Sequence, residues 1–266
     1  MSDQTSVDSG SVELSFDADR RVATIMLDRP AKLNALTPEM LEQIRAAVAK
    51  IQVTDVEVVV VRAQPAKAFC VGADIERFAG LAPADMWREW TRRGHQTFEA
   101  LSRLRQPSIA LLGGHAFGGG LELALACDFR VAAEEARLGL PEVGLGTVPG
   151  WGGSGRLTKL IGPARAKDVI LTRRQLDAST ALDWGLLTRV APAAELEAEL
   201  DALIAAITAG APIAVQLAKE LIDSAAVDGP TSLLEALAGG LTASTSDLTE
   251  GVAAFRDRRE PRFDGH

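Results

Sequence analysis

Cysteine, histidine, basic charge and long apolar runs are all scarce in this chain. The 266 residues include two cysteines, Cys70 and Cys127, and three histidines, His95, His115 and His266. Two cysteines in apolar surroundings cannot build a disulfide framework, which fits a reducing compartment and an expected cytoplasmic location. Each reads as a small buried hydrophobe. The histidines stand far apart and lack a His-x-x-x-His or Cys-x-x-Cys companion, so no metal centre is expected. No stretch approaches the ~18 consecutive apolar residues of a membrane span. The net charge of −8 argues against a nucleic-acid partner, which calls for a basic face. It leaves room for a local basic patch serving a small anion. Residues 1–11, MSDQTSVDSGS, are polar and acidic, and read as a disordered tail rather than a signal peptide.

What is present is a mixed α/β pattern. "VELSF" (12–16) and "VATIMLD" (22–28) read as strands joined by a turn at "DADRR". A helix follows over 36–52, with Thr37 as N-cap, Pro38 at its first position, and Leu41, Ile44, Val48 and Ile51 on one face. "VEVVVVRA" (56–63) is a β-branched run, the pattern of a strand buried on both faces. Further strands are predicted at 107–114, 129–133 and 137–142. From about residue 163 the texture turns alanine-rich and helical, with segments at 163–172, 178–185, 193–209, 213–224, 231–243 and 246–258.

Three glycine clusters invite a nucleotide-binding reading. "GWGGSG" (150–155) matches G-x-G-x-x-G, but it follows "LGTVP" rather than a strand. It is no P-loop, because Arg156 and Leu157 stand where Lys and Ser/Thr are required. It is no G-x-S-x-G elbow, because Arg156 replaces the last glycine. "FGGGLELALAC" (117–127) is different: a strand ends, three glycines follow and a helix begins. Unpaired amides of a first turn form a ready site for negative charge. "AFCVGADI" (68–75) repeats the device after the strand at 56–63. Two amides from two such turns, converging on one oxygen, would make an oxyanion hole. The second of these clusters also holds an acid, Glu122, in an otherwise apolar helix. An unpaired buried charge costs several kcal/mol or holds its proton, so Glu122 calls for a chemical explanation or a buried partner.

"RPAKLNAL", "AFCVGADI", "HAFGGGLELALACDF" and "LPEVGLGTVPGWGGSGRL" occur in the order and spacing of the crotonase superfamily, and the chain most resembles its enoyl-CoA hydratases over residues 12 to 263. That resemblance implies an α/β spiral of repeated β-β-α turns over 12–190, with a helical C-terminal trimerisation region over 191–266. It implies an acyl-CoA thioester substrate and a role in fatty-acid metabolism. It implies no separate cofactor, coenzyme A being part of the substrate. A homotrimer or a dimer of trimers is expected, with no nucleic-acid partner and no membrane insertion.

Carried over by motif, the oxyanion hole comprises the backbone amides of Ala73 and Gly119, and the catalytic acids are Glu122 and Glu142. Ala68, Asp74, Ile75 and Gly118 flank the thioester. Arg29, Lys32 and, near the C-terminus, Arg258 approach the anionic nucleotide part, and Trp151 lines the acyl pocket. Trp87, Trp90 and Phe98 sit at helical spacing beside that pocket or pack into a core. One departure is Glu76, where close hydratases carry lysine near the coenzyme. An enoyl-CoA isomerase, or a dehydratase acting on a specialised 3-hydroxyacyl-CoA, is the alternative within the superfamily. A non-catalytic CoA-ester or RNA-binding scaffold is the alternative outside it.

Overall fold

A computed structural model describes residues 9–19, 21–226 and 231–266. Of the tail expected over 1–11, residues 1–8 lie outside the described residues, and Ser11 already belongs to a strand. The described residues divide into two compact units, one running through Leu104 and resuming over Ser108–Leu200, the other comprising Arg105–Pro107 and Asp201–His266.

The first unit opens with β1 (Ser11–Asp17) and β2 (Val22–Asp28), an antiparallel pair in the expected hairpin register, Asp17 opposite Val22. On β2, Ala23, Ile25 and Leu27 are fully buried while Thr24 and Met26 are partly exposed, the alternation of a strand with one core face. Helix α1 (Pro38–Ile51) begins as predicted: the Thr37 side chain accepts from the Met40 amide, and Leu41, Ile44, Val48 and Ile51 point into the core. β3 (Val58–Ala63) buries all four of its valines, because it lies inside the sheet between β2 and β5.

β4 (Ala68–Cys70), α2 (Ile75–Phe78), α3 (Pro83–Asp85), a π-helical turn over Met86–Thr91 and α4 (Arg92–Ser102) follow. Then come β5 (Ser108–Leu112), β6 (His115–Phe117), α5 (Gly119–Leu125), β7 (Phe129–Ala133) and β8 (Arg137–Gly139). A 3-10 turn over Glu142–Leu145 leads to α6 (Gly153–Thr172), β9 (Leu176–Asp177), α7 (Ala178–Asp183) and β10 (Arg189–Ala191). Successive strand pairs are shared between two sheets. The larger has the order β1-β2-β3-β5-β7-β10 and the smaller β4-β6-β8-β9. Beyond the first hairpin, every pairing in the larger sheet is parallel, as are β4–β6 and β6–β8 in the smaller. This is the expected recurrence of strand, strand and helix.

Among the boundaries that differ from the sequence reading, two bear on the site. The strand predicted over 137–142 ends at Gly139, since Pro141 has no amide to donate and Glu142 enters the 3-10 turn. Helix α6 starts ten residues before the predicted 163, with a kink where Gly162 (φ 79°) precedes Pro163. The glycines of "GWGGSG" hid its first half.

α8 (Leu196–Thr208) is followed in the second unit by α9 (Pro212–Ala225), α10 (Thr231–Ala243) and α11 (Ser246–Asp257). Leu233, Leu237, Leu241, Leu248, Val252 and Phe255 of α10 and α11 are exposed. Among the described residues no single helix is long and apolar enough to cross a membrane. The bent pair α8 and α9 passes that test together, by length and composition alone.

Candidate active site

The smaller sheet delivers two turns to one place. β4 ends in the turn that carries Gly72 and Ala73, and β6, beside it, ends in the one that carries Gly118 and Gly119. A β-carbon on Gly72 would stand 2.9 Å from the Gly119 nitrogen, and one on Gly119 would stand 3.4 Å from the Ala73 nitrogen. The turns are therefore packed backbone against backbone, which side chains at either position would prevent. Gly118 adopts φ 53°, ψ −131° as the residue capping α5.

Neither amide is used up by the scaffold. Ala73 forms a parallel bridge with Leu36, but the bonds of that bridge run from Leu36 N to Gly72 O (2.7 Å) and from Asp74 N to Leu36 O (2.9 Å). That pattern leaves the N–H of Ala73 directed away from Leu36. Gly119 is the first residue of α5, where an amide has no acceptor within its own helix.

Glu122 lies one turn further along α5 and is only 3% exposed. Its Oε1 accepts from the amides of Trp151 and Gly153, both at 2.8 Å, while Oε2 receives neither. Burial pushes its carboxyl pKa up. The two amides, and the Arg156 charge, pull it down, but burial outweighs them and the carboxyl stays above its ordinary range. Glu142 opens the 3-10 turn after β8, and its Oε1 sits 3.4 Å from where a Gly118 β-carbon would be. Both its oxygens are buried, and no other described residue donates to them. Burial raises the Glu142 pKa to about 7; its own amide opposes the rise and the charge of Glu122 adds to it. The site thus holds one carboxyl braced by amides and a second, unbraced one that is half-protonated near neutrality.

Trp151 packs under the site rather than across its mouth. It is 3% exposed, with Trp90 at 5.5 Å and Phe98 at 5.4 Å between ring centroids. Its ring occupies the space that side chains on Gly94 and Gly119 would take, at 2.2 and 2.4 Å. Trp90 and Phe98 accordingly belong to the core, whereas Trp87 is exposed.

The basic residues separate. Arg29, expected to meet an anionic ligand, is 3% exposed, and Nη1 pairs with Asp74 at 2.7 Å and donates to the Ala35 carbonyl at 3.1 Å. Their side chains are thus committed to each other. Asp74 in turn caps α2, accepting from the Glu76 amide at 3.0 Å, so the pair holds the turn that carries Ala73. Lys32 is exposed and lies 3.5 Å from the still more exposed carboxylate of Glu76. Ala68 is buried in β4 and Ile75 is half-exposed at the start of α2. Arg258 is exposed at the end of α11 in the second unit, with φ 55°. Two residues not singled out as site residues from the sequence also border this group: Arg156 donates to the Trp151 carbonyl, and Gly94 leaves room for the Trp151 ring.

The chain is similar to known proteins over nearly its whole length. The family model described as "Enoyl-CoA hydratase/isomerase" matches residues 17–266. A probable enoyl-CoA hydratase of Mycobacterium tuberculosis is 39% identical over 93% of this chain and 96% of its own. The crotonyl-CoA hydratase of Syntrophomonas wolfei is 35% identical over 93% and 96%. The crystal structure of an enoyl-CoA hydratase from Bacillus anthracis superposes with a TM-score of 0.90, at 37% identity, covering 96% of this chain and 99% of that one.

Proposed function

Because this chain belongs to the enoyl-CoA hydratase/isomerase family of the crotonase superfamily, and is a hydro-lyase, we propose that it adds water reversibly to a trans-2-enoyl-CoA thioester. The observation that carries the reading is a pair of buried carboxyls, one braced by two amides and one unbraced, beside two uncommitted, facing amides. Hydration puts a hydroxyl on Cβ and a proton on Cα, while negative charge gathers on the thioester oxygen. The amides of Ala73 and Gly119 receive that oxygen, each contributing about 3 kcal/mol to the transition state. Glu122 is the base: Oε1 is fixed by two amides, and Oε2 remains to take a proton from water. Glu142, with its pKa near 7, is the acid that protonates Cα. In dehydration the two exchange roles. No metal or further cofactor enters the scheme.

The test is the loss of conjugated-enoyl absorbance when crotonyl-CoA is mixed with the protein. Glu122→Gln and Glu142→Gln should each lower turnover at least ~100-fold while thioester binding stays within a few-fold. Near-normal hydration by either variant removes that residue from the mechanism. Action on a 3-enoyl-CoA instead would mark an isomerase. The exposed leucines of α10 and α11, with Phe255, support self-association; the family resemblance suggests a trimer or a pair of trimers, which sedimentation tests directly.

A further inference from the structure

The loop Trp151–Gly153 serves both halves of the site: its two amides hold Glu122, and its tryptophan ring backs Gly119. Such a loop needs something to hold it. Arg156 stands in the first turn of α6, where a cation opposes the helix dipole. It is partly buried, and burial lowers its pKa. Two unfavourable placements in one residue ask for a compensating partner. Arg156 Nη1 donates to the Trp151 carbonyl at 2.9 Å, and Nη2 lies 3.5 Å from Ser102 Oγ of α4. Gly152 has φ 99°, and a β-carbon there would stand 2.2 Å from that Nη1, so the glycine makes room for the guanidinium. The charged and titratable groups facing Arg156 are Glu122 on α5, Glu99 on α4 and Cys127 just past α5. Glu122 itself faces Arg156 and, across the site, Glu142.

We propose that Arg156 is a positioning residue: by gripping the Trp151 carbonyl it fixes the loop whose amides hold Glu122, and it gives that carboxylate a positive neighbour. Arg156 touches no reacting atom. The inference rests on Glu122 being the water-activating base, and it assigns "GWGGSGR" a task as a carboxylate cradle.

The experiment follows the Glu122 carboxyl by infrared difference spectroscopy against pH, with Glu122→Gln as the blank, in the wild-type protein, Arg156→Gln and Arg156→Lys. Turnover of crotonyl-CoA is measured alongside. In Arg156→Gln the Glu122 midpoint should rise by about one pH unit. Turnover should fall about tenfold or more, with KM within about threefold, since the base is displaced and substrate contacts are kept. Arg156→Lys should bring the midpoint back towards wild type. It should leave turnover depressed, because an ammonium cannot span the Trp151 carbonyl and Ser102 as a guanidinium does.

An unshifted Glu122 midpoint in folded Arg156→Gln overturns the proposal. Where Arg156→Gln does not fold, full wild-type turnover in Arg156→Lys overturns it. A wild-type protein that hydrates no enoyl thioester would defeat the functional reading instead, and the infrared titration would still rule on Arg156.

Discussion

Gly72 lies directly against the amide of Gly119, and a β-carbon on it would stand 2.9 Å from that nitrogen. Gly72 also has φ 102°, a conformation that side chains rarely adopt. Gly72→Ala should therefore force the two turns apart and misdirect both amides at once. We expect kcat/KM for crotonyl-CoA to fall about 100-fold or more, the scale of a lost oxyanion donor, with a lowered melting temperature. Steady-state kinetics beside a thermal melt checks this. A folded variant of near-normal activity would mean that the thioester oxygen binds elsewhere.

In the proposed mechanism Glu142 sets the alkaline limit. Hydration needs it protonated, and its pKa is raised to about 7, chiefly by burial and further by the charge of Glu122. The kcat/KM for hydration should fall as pH rises through about 7. The enzyme forms before and after the reaction carry the same number of protons, so dehydration should share that limb. Replacing Glu122 by Gln removes one cause of the rise, so the Glu142 midpoint, read by infrared titration, should move down. An alkaline limit that stays far above neutrality would show that Glu142 is not the acid.

Glu122 stood out in the sequence as an acid inside an apolar helix just after three glycines, whereas Glu142 was named only through the family resemblance. The β3 run and the α1 cap were legible for a similar local reason: burial on both faces and a free first-turn amide each leave a mark within a few residues. The partners of Glu122 were not legible. They are backbone amides, which no residue type announces, and they lie 29 and 31 positions downstream. The start of α6 was hidden because its glycines disfavour a helix in isolation, while the structure needs one at Gly153, where a side chain would meet Glu122 Cγ at 2.6 Å. The fate of Arg29 was hidden for the opposite reason. A charge in a short loop segment looks solvated until its partner, Asp74, is brought beside it by the fold.

The two cations of "RPAK" should now behave differently. Arg29 and Asp74 are both buried and joined at 2.7 Å, and removing Asp74 takes from a buried guanidinium the carboxylate beside it. Asp74→Ala should destabilise the protein by about 3–5 kcal/mol and loosen the turn that carries Ala73. Lys32 is exposed and 3.5 Å from an exposed carboxylate, so Lys32→Ala should change stability by no more than about 0.5 kcal/mol. Any larger effect of Lys32→Ala on KM than on stability would place it at the substrate. Denaturant titration of the two variants separates the roles, and equal stability losses would contradict the burial of the Arg29–Asp74 pair.

Burial of the Glu142 carboxyl should also be visible in stability. Its carboxyl has a folded pKa of about 7, raised from 4.5, so between those values the native state holds a proton that the unfolded chain has released. Stability contributed through this group is intact below the ordinary carboxyl range. It declines as pH rises and is fully lost above about 7. The shift corresponds to about 2 kcal/mol once solvent screening of a partly exposed group is allowed for. Glu142→Gln removes the titration, so its melting temperature relative to wild type should improve by about 4 °C more at pH 8.5 than at pH 4. Calorimetry at the two pH values reads that difference without reference to activity. A relative gain confined to acid would mean that the Glu142 carboxylate has a cationic partner in the folded protein, and the acid role argued for it would lose its physical basis.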